Sequence, residues 1–371
     1  MIHNPFLRAI LRPPAELYGR MMRLRAELYR RGMLRAAPLP GKTISVGNLT
    51  LGGTGKTPMV IWLARHLQAA GYRPGILARG YGRRDANELV VLRPAPDQYG
   101  SGPGEAGDSR TIRTGDEALL FRRHLPDVPI GLCADRVRAA NALAAECGVN
   151  LFLLDDGYQR LDVARDVNLL LVDASETTSA GQDGLIPIGR LREPESAASR
   201  ADLILLTRCE ERSRQDVPAS ESMLREKLRR LTAAPIFHAR TRAVGFLLAE
   251  RDGQIVPEGE VRRGRWLAFC GIGNPAAFFA DLRRWGLTVA HAISFRDHHR
   301  YSPDNLAFLE KEAERTGATG LITTEKDFIN LPPATPRPGK AGLPLYYCRI
   351  VLEPVEPEFW QEILRRLEQA G

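Results

Sequence analysis

Thr50-Leu51-Gly52-Gly53-Thr54-Gly55-Lys56-Thr57 is the segment of this sequence richest in chemistry. It follows a run that reads as a strand, Thr43 to Val46, and precedes one that reads as a helix, Pro58 to Ala70. Strand, glycine-rich loop and helix together make the setting of a phosphate-binding loop. Glycines let backbone N–H groups turn onto phosphate oxygens, and the helix N-terminus adds its positive dipole end. Lys56 neutralises the β and γ oxygens, and the Thr57 hydroxyl can ligate Mg²⁺. The pattern G-x-x-x-x-G-K-[ST] asks for Gly at position 50, where this chain has Thr50. The surrounding context outweighs that departure, and binding of ATP or GTP is expected.

A second group is the apolar run Val149 to Leu154 leading into Asp155, Asp156 and Gly157. Carboxylates at the carboxyl end of a central strand face the crevice where open α/β sheets bind ligands, and one of them is placed to hold Mg²⁺. Alone, Asp-Asp-Gly would read as a solvated turn; a P-loop upstream favours the metal. Gly115-Asp116-Glu117 precedes the helical stretch Ala118 to His124, where acidic residues ordinarily cap free N–H groups. His298 and His299 sit in a polar cluster far along the chain, and only proximity to Asp116 would make them more than surface residues. Arg79, in Arg79-Gly80-Tyr81-Gly82, and Arg192, in Leu191-Arg192-Glu193, are each able to clamp phosphate or to be plain surface charge.

These residues need a scaffold, and the pattern from Lys42 onward supplies one. Short apolar runs at Thr43 to Val46, Pro74 to Ala78, Val149 to Leu154, Val167 to Val172 and Asp202 to Leu206 alternate with helical stretches. That alternation predicts a three-layer α/β core of the P-loop NTPase type, with helices on both faces of a parallel sheet. From Arg83 to Gly115 a Pro/Gly/Asp-rich stretch, with Pro94, Pro96, Gly100, Gly102, Pro103 and Gly104, reads as a loop or hairpin. After Pro235, Phe237 to Arg242 and Gly245 to Ala249 read as strand pieces, and Asp252-Gly253 is a turn signal. Trp266 to Gly271 and Gly320 to Thr324 read as strands, and Asn274 to Trp285 as a helix. The expected organisation is a basic segment at 1–42, a core at 43–235, a β-ribbon linker at 236–262 and a smaller α/β unit at 263–371.

At 371 residues and 44% apolar content the chain can bury two moderate cores, and 26% charged residues give no sign of disorder. Five cysteines, odd in number and never in a C-x-x-C pair, argue against a disulfide framework or a zinc site and fit a reducing cytoplasm. No apolar run approaches the roughly 18–20 residues of a spanning helix, and the first residues lack a secretory layout. The net charge of +8 is concentrated: residues 1–42 carry eight Arg and one Lys against Glu16 and Glu27, a net +7. Leu17, Met21, Leu24 and Leu28 form an amphipathic stripe there, with a break expected at Pro13 and Pro14. That stripe either packs on the protein's own core or meets an anionic membrane.

Taken together, the motifs resemble the tetraacyldisaccharide 4'-kinase family. They are Val46-Gly47-Asn48-Leu49-Thr50 running into the loop, Arg79-Gly80-Tyr81-Gly82, Gly115-Asp116-Glu117, Asp155-Asp156-Gly157, Leu191-Arg192-Glu193, Asp297-His298 and Thr324-Glu325-Lys326-Asp327. They occur in order over about residues 43–330, and the family's loop also lacks the first glycine. Tyr158 stands where Leu or a similar apolar residue is expected, and the 83–115 loop is longer than usual. The resemblance implies transfer of the ATP γ-phosphoryl group to the 4'-hydroxyl of a tetraacyldisaccharide 1-phosphate, a step of lipid A biosynthesis. It implies two α/β units joined by a β-ribbon with a cleft between them, and peripheral attachment to the cytoplasmic face of the inner membrane. By the same analogy Asp116 is the base and His298 its partner. Glu117 and Asp155 are the candidates for Mg²⁺, with Asp156 beside them. Arg192 and Arg136 stabilise phosphate charge, with Arg79 a weaker candidate. No obligate protein partner is implied.

One rival is a membrane-associated P-loop ATPase switch, which leaves an Asp116–His298 pair without a purpose. Another is a cytosolic small-molecule kinase or ligase, which leaves the +7 segment without one. Nucleic-acid binding is weaker, since only Tyr18 and Tyr29 could stack bases in the basic segment.

Overall fold

The computed structural model describes residues 4–81, 83, 85–94, 114–175, 184–209, 219–249, 254–332 and 343–369. Most of the 83–115 loop and the Asp252-Gly253 turn lie outside them. The chain divides into two compact units that interleave along the sequence. Residues 1–78, 128–241 and 352–371 form the first, and 79–127 and 242–351 the second. This differs from the contiguous division expected from sequence: the segment 79–127 joins the second unit, and the chain's last helix returns to the first.

The first unit contains α1 (Pro5–Arg30), β1 (Lys42–Gly47), α2 (Lys56–Ala69) and β2 (Pro74–Ala78). After a departure into the second unit, which holds β3 (Val90–Leu92) and α3 (Asp116–His124), it continues with β4 (Ile130–Leu132) and α4 (Arg136–Cys147). Then come β5 (Leu151–Asp155), β6 (Val167–Asp173), β7 (Leu203–Thr207), α5 (Ala219–Leu231) and the start of β8 (Ile236–Leu248). Its strands lie in the order β8-β7-β6-β1-β5-β2-β4, all parallel. β2, β4, β5 and β7 are buried at every position, as expected of parallel strands covered on both faces. α2 buries Met59, Val60, Leu63, Ala64 and Leu67.

Gly47 ends β1 where a Cβ would lie 2.7 Å from Tyr158 N and Cβ, so only glycine admits the turn that follows Asp155. Tyr158, the departure noted in the sequence, is fully buried and donates its hydroxyl to the Ala197 carbonyl at 2.8 Å. Its polar end is therefore satisfied inside a core that Leu would fill without one.

The second unit continues β8 and adds β9 (Ile255–Val256), α6 (Glu258–Arg263), β10 (Arg265–Cys270), α7 (Pro275–Arg284) and β11 (Thr288–Ser294). It ends with α8 (Pro303–Thr316), β12 (Gly320–Thr324), α9 (Glu325–Ile329) and β13 (Leu345–Pro354), after which α10 (Glu358–Gln369) belongs to the first unit. β11, β10, β12 and β13 are parallel in that order. Along β10, Leu267 and Phe269 enter one apolar cluster while Trp266, Ala268 and Cys270 enter another, so the period of two builds a core on each face. β8 is one 13-residue strand and not two pieces, paired antiparallel to β9 through Phe246–Val256 and Leu247–Ile255. β8 and β13 carry the chain from one unit to the other.

α1 corrects the expected break: Pro13 and Pro14 lie inside one 26-residue helix. Each proline removes a donor to the carbonyl four residues earlier, here Ala9 and Ile10. Both of those residues are exposed, so the lost donors fall on the solvent side of the helix. Most of the stripe does not pack on the protein: Phe6, Ile10, Leu17, Met21 and Leu24 are all more than half exposed, while Leu28 is half-buried. The opposite face is tethered to the first unit, with Tyr18 Oη donating to the Arg192 carbonyl at 2.6 Å and Arg25 to the Gln159 carbonyl at 3.2 Å.

Candidate active site

In the first unit, β1 runs through Gly47 into the loop, and Gly55, at φ 88°, opens α2 with no side chain capping its N–H groups. The register places Val46 opposite Asp155 of β5, which brings the aspartate pair to the loop's own strand. A short antiparallel bridge between Thr50 and Leu191, with Leu51 N–H on the Arg190 carbonyl at 2.7 Å and Arg192 N–H on the Leu49 carbonyl at 2.8 Å, brings Arg192 alongside. Arg192 donates two bonds to Asp156, at 2.8 and 2.6 Å, and one to Asn48 Oδ1 at 2.6 Å. Lys56 Nζ lies 3.0 Å from the same Asn48 oxygen and 3.2 Å from Asp156 Oδ1. Burial alone would raise the Asp156 carboxyl's pKa, but the Arg192 bonds and the Lys56 charge hold it well below the ordinary range. Asp156 thus serves as counter-ion to both Arg192 and Lys56.

The residues present fit a nucleotide triphosphate. Thr54 Oγ1 is buried with no hydrogen-bond partner, nothing occupies the space where a Gly53 Cβ would point, and the uncapped start of α2 is an anion site. Among the described residues no three His, Cys, Asp or Glu side chains gather as a metal cage. Mg²⁺ bound with phosphates needs only one or two protein oxygens, and Thr57 and the buried Asp155 at the β5 end are the first unit's candidates. Arg136 is buried at the start of α4, its guanidinium on the Cys133 carbonyl. Arg79 is exposed directly after β2.

In the second unit the structure brings Asp116 and His298 together: His298 Nδ1 lies 2.7 Å from Asp116 Oδ2 although 182 positions separate them. Asp116 is not at the cap position, although its Oδ1 accepts the first-turn Glu117 N–H at 2.9 Å, as an acidic residue at a helix start is expected to do. The cap position is Gly115, at φ 81° and ψ 158°, and a Cβ there would lie 2.4 Å from the Tyr81 carbonyl. Only glycine tolerates both. Gly115→Ala is therefore expected to lower stability by about 1–3 kcal/mol and activity more than tenfold by displacing Asp116; urea unfolding and initial rates check this. Glu117, the second unit's metal candidate, is half-buried on α3.

Residues to which the sequence assigned no role complete this pocket of charge. Asn330 Nδ2 donates to Asp116 Oδ2 at 3.3 Å, the Tyr81 ring lies over His298 with centroids 4.3 Å apart, and Lys326 Nζ stands 3.2 Å from His298 Nε2. Tyr81 and Lys326 sit in motifs that were visible, but neither type announces its function. Burial would raise the Asp116 pKa, yet the His298 bond and the Lys326 charge lower it to about 2 from 3.8. A folded-state value below the unfolded one gives stability that is present above pH 4 and lost as pH falls through 2. Wild type is expected to exceed Asp116→Asn by on the order of 2 kcal/mol more at pH 6 than at pH 2, a difference that chemical denaturation at the two pH values measures.

The profile of the family described as LpxK: Tetraacyldisaccharide-1-P 4'-kinase matches residues 7–368. A tetraacyldisaccharide 4'-kinase of Geobacter sulfurreducens is 38% identical over 95% of this chain and 91% of its own length. One of Desulfatibacillum aliphaticivorans is 34% identical over 98% and 93%. The crystal structure of Aquifex aeolicus LpxK, an "apo" form in complex with ATP, superposes with a TM-score of 0.67 at 28% identity, covering 97% of this chain and 99% of that one. Since the match spans the loop, the aspartate pair, Asp116 and His298 alike, the chain belongs to the tetraacyldisaccharide 4'-kinase family.

Proposed function

We infer that this protein transfers the γ-phosphoryl group of ATP to the 4'-hydroxyl of a tetraacyldisaccharide 1-phosphate, making a lipid A precursor. The observation that carries this reading is the 2.7 Å contact between Asp116 and His298, an acceptor for a hydroxyl proton that an ATPase switch would not need. In the reaction the 4'-oxygen forms a bond to the γ-phosphorus, the bond to the bridging oxygen of ADP breaks, and the hydroxyl proton passes to the Asp116 carboxylate. Such a transfer is governed by positioning and charge rather than by a strong base, so a carboxyl with a low pKa suffices. The loop N–H groups and Thr54 orient the phosphates, and Lys56 and Arg192 meet their charge, exchanging Asp156 for the nucleotide. Thr57, Asp155 and Glu117 are the residues that would hold Mg²⁺, with Asp156 already engaged by cations. The ion would neutralise charge on the β and γ oxygens. Arg136 and Arg79 remain candidates for phosphate contact.

The test is transfer of labelled phosphate from Mg·ATP to detergent-dispersed tetraacyldisaccharide 1-phosphate. A labelled lipid supports the reading; ATP hydrolysis indifferent to lipid, with no labelled lipid, rejects it in favour of the switch.

The site of action we assign to an anionic membrane surface, the cytoplasmic face of the inner membrane, with α1 as the attachment. Among the described residues no helix is long and apolar enough to cross a bilayer. The apolar stripe of α1 is turned outward and the segment around it carries +7, at about 1 kcal/mol per cation near an anionic surface. Replacing Leu17, Met21 and Leu24 together by Ser is expected to cut sedimentation with anionic vesicles by more than tenfold. It should leave the melting temperature within about 2 °C, because exposed side chains contribute little to folding.

A further inference from the structure

Lys326 lies in the first turn of α9 just beyond β12, and its ammonium stands among three acceptors: His298 Nε2 at 3.2 Å, Asp297 Oδ1 at 3.7 Å and Asp116 Oδ2 at 4.0 Å. An ammonium has only donors to offer, so its contact with Nε2 requires a lone pair there. The ring proton is then on Nδ1, which faces the Asp116 carboxylate at 2.7 Å. The two ring nitrogens thus agree on a single tautomer. A doubly protonated ring would set an N–H against the ammonium.

The remaining neighbours of the imidazole do not make this choice. The Tyr81 ring packs against it at a tilt of 38° and selects no proton position. Asp297 Oδ1 lies 3.9 Å from Nε2 and on its own would favour protonating it. Lys326 offsets that carboxylate and stays charged: burial would lower its pKa, but Asp116 above all raises it.

We propose that Lys326 is a positioning residue for the acceptor half of the site: its ammonium holds His298 as the neutral Nδ1–H tautomer, aimed at Asp116. The assignment rests on the kinase reading for its purpose, not for its geometry. A neutral partner hydrogen-bonds Asp116 without adding a second positive charge to that of Lys326, so the carboxylate remains available to the acceptor hydroxyl.

The experiment uses the full chain labelled with ¹⁵N-histidine. His298→Gln identifies the His298 signals among those of seven histidines. In wild type at pH 7, Nδ1 is expected to be protonated and Nε2 not. In Lys326→Met, both nitrogens should become protonated under the influence of Asp297. The kcat for lipid phosphorylation should fall about 10–100-fold, with KM for ATP changed less than twofold, as for loss of orientation. Lys326→Arg should restore the neutral ring and most of the rate. A proton on Nε2 in wild type overturns the proposal. So does an unchanged His298 spectrum in Lys326→Met, whatever its rate, because a merely structural lysine would lower activity without moving the proton. If Lys326→Met fails to fold, Lys326→Gln carries the same comparison. Expected spectra from a wild type that makes no lipid product would reject the kinase reading alone.

Discussion

Asp116→Asn lowers kcat for lipid phosphorylation by about 10³-fold, within the 10²–10⁴ that a positioned acid–base group contributes. KM for ATP stays within about twofold. The amide keeps the size of the carboxylate and an oxygen to accept the His298 N–H, so geometry survives while the proton acceptor is lost. Alanine is the less informative change. It would leave the Lys326 ammonium and Asn330 facing a buried void, since the Asp116 side chain is only 5% exposed, and would confound catalysis with folding. His298→Ala should cost less, about 10²-fold, because the imidazole orients the carboxylate and does not itself take the proton in this mechanism. Initial rates with both substrates varied, beside melting curves for each variant, measure these effects. An Asp116→Asn enzyme with more than a tenth of wild-type kcat would remove Asp116 from its role.

Lys56→Ala lowers kcat/KM for ATP by at least about 10³-fold with almost no loss of stability. The first half follows from removing a cation from the phosphates, where charge stabilisation dominates catalysis. The second follows from the resting geometry: Asp156 keeps both of its bonds from Arg192 when Lys56 is gone, so no carboxylate is orphaned. Lys56→Arg should not rescue, as a forked guanidinium does not replace a point charge in a loop shaped around phosphate. Nucleotide affinity by calorimetry and unfolding midpoints separate the two halves. A large drop in stability would show that Lys56 is a structural cation first.

The loop and its flanks were legible because phosphate binding dictates residue types at fixed spacing within one continuous segment. The short strand β4 was not, since three residues between Pro129 and Cys133 carry no periodicity. Arg192 could be suspected but not placed: it reaches Asp156 through a single bridge between Thr50 and Leu191, too short to leave a strand pattern. Asp116 and His298 looked like a cap and a surface residue, and only the resemblance joined them across 182 positions. Lys326 lies in the first turn of α9 and Asn330 caps its end, types that a short helix would hold there anyway, so their convergence on Asp116 and His298 is a property of the fold alone. The outward turn of the α1 stripe is of the same kind. Periodicity shows that a face is apolar, but only packing shows where it points.

The interleaved order of the two units has a consequence for how the protein is made. α10 lays Phe359, Ile363 and Leu367 into the first unit with no exposure, Trp62 of the P-loop helix meets Phe359 with centroids 5.7 Å apart, and Lys42 at the start of β1 reaches the Leu367 carbonyl. The strand and helix that cradle phosphate are among the first elements to be synthesised, yet their packing waits for residues 352–369. At about 5–20 residues per second the delay is roughly 15–60 s, during which an apolar β1–α2 surface lacks its last covering layer. The second unit's final strand, β13, also precedes α10. The nascent chain therefore completes its second unit before its first, the reverse of the order in which the glycine-rich loop and Asp116 are written.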